Sequence, residues 1–137
     1  MAKNEEEVKN SPFGFGESND AFAKYFTGES YLNPLANKAN CNIANVNFKP
    51  GCINNWHEHT VPQILICVAG KGWVQEEGKP AHKMTPGDVN VVAPNTKHWH
   101  GAAPDEWFSH LAIEVPGENG SNEWLEPVSD EEYGKLQ

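Results

Sequence analysis

The sequence predicts an all-β protein. From Tyr31 onward, short β-branched and aromatic runs alternate with Pro, Gly and Asn, which are residues that favour turns. The runs predict strands at residues 41–49, 53–59, 63–69, 72–77, 81–84, 88–93, 97–101 and 107–115. Many short and closely spaced strands are typical of a closed or double-sheet β architecture.

The two ends of the chain depart from this pattern. Residues 1–20 are polar and rich in Gly, which predicts a flexible N-terminal arm, free or attached to the domain through Phe13 and Phe15. Ser129 stands three residues before Glu132, and this capping box predicts a short C-terminal helix. We therefore expect an arm over residues 1–20 and a single domain over residues 21–137.

The composition of the chain restricts the kinds of molecule that it is expected to bind. The chain has 137 residues, of which 38% are hydrophobic, and a formal net charge of −9. An acidic surface repels phosphate backbones, so we expect no nucleic-acid partner. No apolar run approaches the ~18 residues of a membrane span, and the first residues lack the apolar core of a signal peptide. We expect no membrane association, a cytoplasmic location, and free thiols at Cys41, Cys52 and Cys67.

One stretch of the chain carries a candidate metal site. His57 and His59 are separated by one residue, so they project from the same face if this segment is a strand. Gln63 follows after a short link, and His98 is the candidate for a further ligand. Imidazole nitrogens and an amide oxygen make most of a transition-metal site. The alternative is that these are surface histidines on an exposed strand.

The segments 51–70 and 87–101 resemble, in order, the two motifs of the cupin superfamily. Gln63 stands where an acidic ligand is usual in that pattern. Ala93 and Asn95 stand where Pro and Gly are usual, and Asn tolerates the positive φ of the turn better than most residues.

A closer resemblance runs from about Tyr25 to Tyr133, to the small single-domain cupins related to carboxymuconolactone decarboxylase. It is carried by the segments 25–28, 46–51, 97–103, 110–113 and 123–126. Some bacterial members of that group are manganese-dependent hydroxynitrile lyases, which make or cleave α-hydroxynitriles, and many others have no assigned reaction. The resemblance implies a cupin jelly-roll β-barrel, usually a homodimer, with a metal in the mouth of the barrel.

The ligands that the resemblance implies are His57, His59, Gln63 and His98. All four side chains are neutral, so the charge of a divalent ion would stay uncompensated and the ion would be a strong Lewis acid. A closed structural zinc site usually includes Cys, so this ligand set does not favour one. Because the Gln oxygen is a hard donor, we expect manganese, with iron, zinc or nickel as alternatives.

Strand parity and the resemblance together suggest further site residues. His100 and His110 are similar to residues of the lyase members, and we expect them to act as acid–base or substrate-orienting groups. For His110 the alternative is a core histidine bonded to the backbone. Glu114 stands where those relatives tend to have Gln; it is a third catalytic candidate, or else the partner of a ligand histidine. The residues expected to line the substrate pocket are Ala44, Val46, Cys67 and Ala112.

Three functions are compatible with this pattern. The first is a metal-dependent lyase acting on a small carbonyl-derived substrate such as an α-hydroxynitrile. The second is an iron-dependent dioxygenase, although the chain has no Arg with which to bind a 2-oxoacid. The third is a non-catalytic metal-binding or ligand-binding cupin. We also expect a homodimer with its interface around Tyr31–Leu35, because an outer sheet face and its edges need cover.

Overall fold

The computed structural model describes residues 3–36, 41–116 and 121–136 and consists mostly of β-strands. The strands in these ranges are β1 (Glu17–Ser18), β2 (Phe26–Thr27), β3 (Ser30–Ala36), β4 (Asn42–Phe48), β5 (Ile53–Asn54), β6 (His57–His59), β7 (Gln63–Gly70), β8 (Gly72–Glu76), β9 (His82–Met84), β10 (Val89–Val92), β11 (His98–Ala102), β12 (Phe108–Glu114) and β13 (Asn122–Trp124). The eight predicted segments correspond to β4 through β12.

One predicted segment, residues 53–59, is divided into β5 and β6. The division follows from the backbone of the two residues between the strands. The Asn55 N–H donates to the carbonyl of Tyr25, and the Trp56 N–H donates to the carbonyl of Glu126. Both groups therefore bond to segments outside the neighbouring strand β11, and the ladder is interrupted there.

The described strands form two antiparallel sheets. One contains six strands in the order β1-β3-β4-β12-β7-β10. The other has the order β13-β6-β11-β5-β2, with β8 also paired to β11 and β9 paired to β8. The all-β jelly-roll barrel that the sequence predicts is confirmed.

The main core lies between the sheets, because alternate residues of the strands point inward. Leu65 of β7, Val74 of β8 and Phe108 of β12 belong to it. Cys67, which we expected in the pocket wall, belongs to this core as well and is 1% exposed. It stands opposite His110 in the register of β7 and β12, deeper in the barrel than the pocket. As expected, Cys67 and the other two cysteines are free thiols.

The C-terminal segment covers the outer face of the second sheet. Trp56, Trp73 and Trp99 form a second apolar cluster there, together with Val128. The predicted C-terminal helix is α2, the second of the helices α1 (Glu5–Lys9) and α2 (Asp130–Gly134). Its cap is the predicted one, since the Ser129 hydroxyl accepts a hydrogen bond from the backbone N–H three residues later. In the described part of the chain, no helix is long and apolar enough to span a membrane.

The N-terminal segment is attached to the six-stranded sheet. The residues from α1 to Phe15 pack on its outer face, where Val8 is fully buried in a cluster with Trp107, and Glu17–Ser18 form its edge strand β1. The Phe15 ring lies 4.3 Å from that of Tyr31. These apolar side chains, spaced among polar residues, attach a segment whose composition favours disorder. The division of the chain at residue 20 stays a prediction.

One glycine in a tight turn provides a test of this fold. Gly70 ends β7 with φ of +74°, and a Cβ at this position would overlap the backbone oxygen of Trp107. We expect Gly70→Ala to lower the free energy of unfolding by ~3 kcal/mol or more, because strain and overlap combine. Gly78→Ala is the matched control: φ is +81° but the space is open, so we expect a loss of about 1 kcal/mol. Urea unfolding of both variants measures the difference, and equal losses would contradict the turn geometry.

Candidate metal centre

The side chains predicted as ligands meet at one end of the barrel. His57 and His59 lie on β6, Gln63 begins β7, and His98 begins β11. His57 and His98 stand opposite one another in the register of their strands, with ring centroids 4.2 Å apart. The His98 Nε2 atom lies 3.2 Å from the Oε1 atom of Gln63. All of these side chains are buried.

Hydrogen bonds define which ring nitrogen of each histidine carries the proton. The Nδ1 atoms of His57 and His98 each lie within 2.9 Å of the backbone carbonyl two residues earlier. The Nδ1 atom of His59 lies 2.5 Å from the Oδ1 atom of Asn122, which stands opposite it on β13. Since a carbonyl oxygen only accepts, each Nδ1 is the donor. The three Nε2 atoms therefore keep lone pairs for another partner.

The residues present fit a divalent metal. The Nε2 atom of His59 is buried and has no hydrogen-bond partner among the described residues. A buried polar atom without a partner is rare and needs an explanation. A metal ion at this point would satisfy the lone pair, and three imidazole nitrogens with one amide oxygen are a donor set that Mn²⁺, Fe²⁺ or a similar ion accepts.

His100 is an alternative to His59 as a ligand in this centre. Ring nitrogens of His57, His98 and His100 lie within 4.8 Å of one another, and no set with His59 among the described residues meets that distance, so distance alone favours His100. The nitrogens of His100 are already engaged, by the amide of Asn54 at 3.3 Å and by a second buried histidine at 3.0 Å. We favour His59 as the ligand, because its Nε2 atom has no such partner.

His110 lies behind His100 and outside the lining of the cavity. Its Nε2 atom is 3.0 Å from the Nδ1 atom of His100. Burial lowers the pKa of His110 to about 4. Burial, together with the neighbouring His110, holds the pKa of His100 well below 6.5. Both rings are therefore neutral near pH 7, and a molecule in the cavity would meet His100 first.

A cavity of about 480 Å³ opens beside these histidines. Of the predicted pocket residues, Ala44, Val46 and Ala112 do line it. The rest of its apolar wall comes from Phe22, Phe26, Leu32, Pro34, Ala36, Ile43 and Trp124. The lining histidines, Gln63 and Glu114 form what we call the reactive end, and further polar side chains, among them Asn19 and Ser121, line the cavity as well.

Glu114 is the one charged residue, histidines aside, among the described residues that line the cavity. Its Oε1 atom lies 3.9 Å from the Nδ1 atom of His59. Its Oε2 atom accepts a hydrogen bond of 3.2 Å from Asn42. The carboxylate is therefore close to a ligand histidine, which agrees with the alternative of a partner for that histidine.

The sequence pattern did not reveal two residues of β13. Asn122 bonds His59, and the Trp124 ring lies 4.7 Å from that of His57. Trp124 also stacks on Tyr25 at 4.7 Å, with the ring planes 3° apart. The available signal was the resemblance over residues 123–126, which did not by itself show that this segment pairs with the strand of the ligands.

Comparison with known proteins identifies the family. A family model described as Cupin_2, cupin domain, matches residues 44–114, more than half of the chain. The chain belongs to the Cupin_2 family.

Relatives of this cupin include an enzyme. The chain is 41% identical to the (R)-mandelonitrile lyase of Granulicella tundricola over 114 residues, which cover 81% of this chain and 87% of the relative. The crystal structure of a cupin-like protein from Thermotoga maritima is similar with a TM-score of 0.85 and 40% identity, over 92% of this chain and 96% of that one. The DMSP lyase of Ruegeria pomeroyi has a TM-score of 0.63 at 18% identity, over 94% and 64%, and shows the fold alone.

Burial of the imidazoles makes the metal-free protein sensitive to acid. Burial lowers the pKa of His57, His98, His100 and His110. In the unfolded chain, histidines take up protons below about pH 6.5, whereas these four stay neutral in the folded state. We expect the free energy of unfolding to fall as pH decreases from about 6.5 towards 4, by up to ~1.4 kcal/mol per pH unit for each histidine.

Urea unfolding of the metal-free protein between about pH 7.5 and pH 4.5 measures this loss. The exposed His82 supplies a control, since His82→Gln should leave the pH profile unchanged. A flat profile between pH 6.5 and pH 4.5 would contradict the burial of neutral imidazoles.

Proposed function

We propose that this cupin is a metal-dependent lyase that cleaves an α-hydroxynitrile into an aldehyde and hydrogen cyanide. The observation that carries the proposal is the position of three buried histidines and Gln63 beside a cavity with a largely aliphatic and aromatic wall. The relative that is an (R)-mandelonitrile lyase supports the same class of substrate.

In this proposal the Nε2 atoms of His57, His59 and His98 and the Oε1 atom of Gln63 would hold one divalent ion, manganese. When bound, the ion supplies a Lewis acid for the oxygen of the substrate. The chain contributes a neutral set of donors, whose orientation is maintained by the hydrogen bonds at each Nδ1.

The apolar wall of the cavity suits an aryl or alkyl group next to the reacting carbon. Phe22, Phe26 and Trp124 line it. Trp124 is held between the His57 ring and the stacked ring of Tyr25. Rigid aromatic surface next to the reactive end would orient a flat substituent and exclude water from the reacting bond.

In this proposal His100 transfers the proton. Cleavage breaks the bond between the hydroxyl-bearing carbon and the nitrile carbon, and the electron pair leaves with cyanide. The hydroxyl proton moves to the Nε2 atom of the neutral His100 ring, which gives up its 3.3 Å contact with the Asn54 amide, and from there to cyanide, which departs as hydrogen cyanide. His110 acts through His100, since it touches that ring at 3.0 Å and not the cavity. It is thus a positioning residue.

Glu114 retains two roles in this scheme. As a carboxylate near the Nδ1 atom of His59, it would strengthen that ligand and partly offset the charge of the ion. As a lining residue of the cavity, it would instead act as a base on the substrate. The first role predicts a change in metal affinity when Glu114 is replaced, and the second predicts a change in turnover alone.

Metal titration of the purified protein tests the ligand set. We expect His59→Ala to weaken Mn²⁺ binding by at least ~100-fold, because one of the side chains that bind the ion directly is lost. His100→Ala should change the affinity by less than about threefold. Isothermal titration calorimetry and metal analysis measure both, with His82→Ala as an exposed control. If His100→Ala rather than His59→Ala abolished binding, the site would be that of His57, His98 and His100.

The same titration separates the roles of Glu114. Loss of the carboxylate in Glu114→Gln should weaken Mn²⁺ binding by about 10-fold if it supports His59. An unchanged affinity combined with a large loss of turnover would assign it as the base.

The reaction itself is tested with mandelonitrile. We expect the Mn²⁺-loaded protein to release benzaldehyde and cyanide in equal amounts, and His100→Ala to reduce kcat by roughly 10²–10⁴-fold with its metal content intact. Benzaldehyde absorbance and a cyanide assay provide the two measurements, and the metal-free protein provides the background. Release at the background rate by the loaded protein would contradict the lyase proposal.

A further inference from the structure

The carboxylate of Glu114 faces both the cavity and solvent. Alternate residues of β12 point inward, and along this face Phe108 belongs to the core while Ala112 lines the cavity. Glu114 is the last residue on the same face, at the end of the strand. It lines the cavity too, and its side chain is 31% exposed. The charge therefore lies where the cavity meets the solvent.

One oxygen of this carboxylate is held, and the other is free to accept from a ligand. The Oε2 atom accepts from the amide of Asn42, which fixes the group. The Oε1 atom is 3.9 Å from the Nδ1 atom of His59, beyond hydrogen-bond distance, and that nitrogen already bonds Asn122 at 2.5 Å. Within the described part of the chain, Oε1 accepts no hydrogen bond. It is available to a donor or a cation in the cavity.

The rest of the cavity lining suits a cation as the partner of Glu114. The described residues that line the cavity include neither Lys nor Arg, so no cationic side chain among them neutralises the carboxylate. Phe22, Phe26 and Trp124 offer aromatic surface in the same cavity. Aromatic faces attract cations, and quaternary ammonium groups are recognised in this way. The lining thus combines a carboxylate with aromatic rings.

We propose that Glu114 selects substrates by charge, so that the cavity favours an α-hydroxynitrile with a cationic substituent and disfavours one with a carboxylate. The reaction in this inference rests on the proposed lyase function, whereas the selectivity is a property of the cavity. A divalent ion in a neutral set of donors would attract carboxylates, and Glu114 opposes their entry by repulsion. Hydrogen cyanide is neutral, so this repulsion does not hold back the product.

Selectivity is separable from the two roles of Glu114 described above. Support of a ligand histidine, or action as a base, affects every substrate in the same direction, whereas selection changes the ratio between substrates of opposite charge. At a separation of ~6 Å and an effective dielectric constant of roughly 20–80, one charge changes an affinity by about 3- to 100-fold. A cation and an anion respond in opposite directions, so loss of the carboxylate should lower the ratio of their affinities by about 10-fold or more.

Ligand binding by the metal-free protein tests the selectivity without any reaction. The probes are benzyltrimethylammonium and phenylacetate, which carry opposite charges beside the same ring, and NMR titration measures their affinities. We expect the cation to bind more tightly, and Glu114→Gln to lower the ratio of affinities by about 10-fold or more.

Glu58→Gln is the matched control. It removes the same charge from β6, between two of the candidate ligands, where alternation points the side chain away from the cavity. Solvent and salt screen a charge at that position, so the ratio should stay within about twofold of that of the unmodified protein.

The corresponding kinetic test uses the Mn²⁺-loaded protein and mandelonitriles with a 4-trimethylammonio or a 4-carboxylate group. We expect Glu114→Gln to lower the ratio of their kcat/KM values by about 10-fold or more, and Glu58→Gln to leave it unchanged. The electronic effects of the substituents cancel, because each variant is compared on the same two substrates.

Three outcomes would overturn the selectivity. The first is the absence of measurable binding of benzyltrimethylammonium to the unmodified protein. The second is equal affinity of that protein for the two probes. The third is a ratio that Glu114→Gln leaves unchanged in either experiment. Circular dichroism verifies that each variant is folded, and Glu114→Ala repeats the test if Glu114→Gln does not fold. If the probes are distinguished but no mandelonitrile is cleaved, the lyase proposal fails and the charge selection stands.

Discussion

Burial of five imidazole rings in one part of the barrel is the constraint on which the site depends. Each buried nitrogen needs a partner, since water is excluded. Two candidate ligand rings donate to backbone carbonyls and His59 donates to Asn122, while His100 and His110 bond each other. The Nε2 atoms of the candidate ligands keep their lone pairs, and the Nε2 atom of His59 has no partner among the described residues, as is also true of the Nδ1 atom of His110. The hydrogen-bond arrangement that stabilises the apo fold is thus the one that prepares the centre for a cation.

The two sheets contribute different residues to the cavity. The short strands β6, β11 and β13 bring His57, His98 and Asn122 into register, so their pairing defines the reactive end. The long strands β4 and β12 of the other sheet supply Ala44 and Ala112, which pair directly and form the wall. Substitutions in the wall can therefore alter the space for a substrate while the three candidate histidine ligands, which lie on strands of the other sheet, keep their positions. Gln63 is the exception, since it lies on β7 and pairs with Glu114 of β12.

Sequence patterns predicted to which face of a strand a side chain points better than they predicted how deeply that side chain is buried. The His-x-His spacing and the turn residues located β6 and β11, because parity follows from strand geometry alone. Parity did not show that Cys67 lies in the core or that His110 lies behind His100, since depth depends on where the sheets close. The strand β13 has three residues, too few for a periodic signal, so Asn122 was missed.

The N-terminal segment illustrates a second limit. The sequence offered its Phe residues as an attachment, and Phe15 does pack on Tyr31, but nothing in the pattern indicated that Val8 would be buried beside Trp107. Local composition contains no information about the apolar surface that a distant sheet leaves uncovered, and that surface decides where the segment lies.

Anomalous diffraction from crystals of the Mn²⁺-loaded protein tests the central claim most directly. The account predicts one manganese peak, ~2.0–2.3 Å from the Nε2 atoms of His57, His59 and His98 and the Oε1 atom of Gln63. A peak bound to His100 in place of His59, or no peak in this part of the barrel at saturating Mn²⁺, would contradict it.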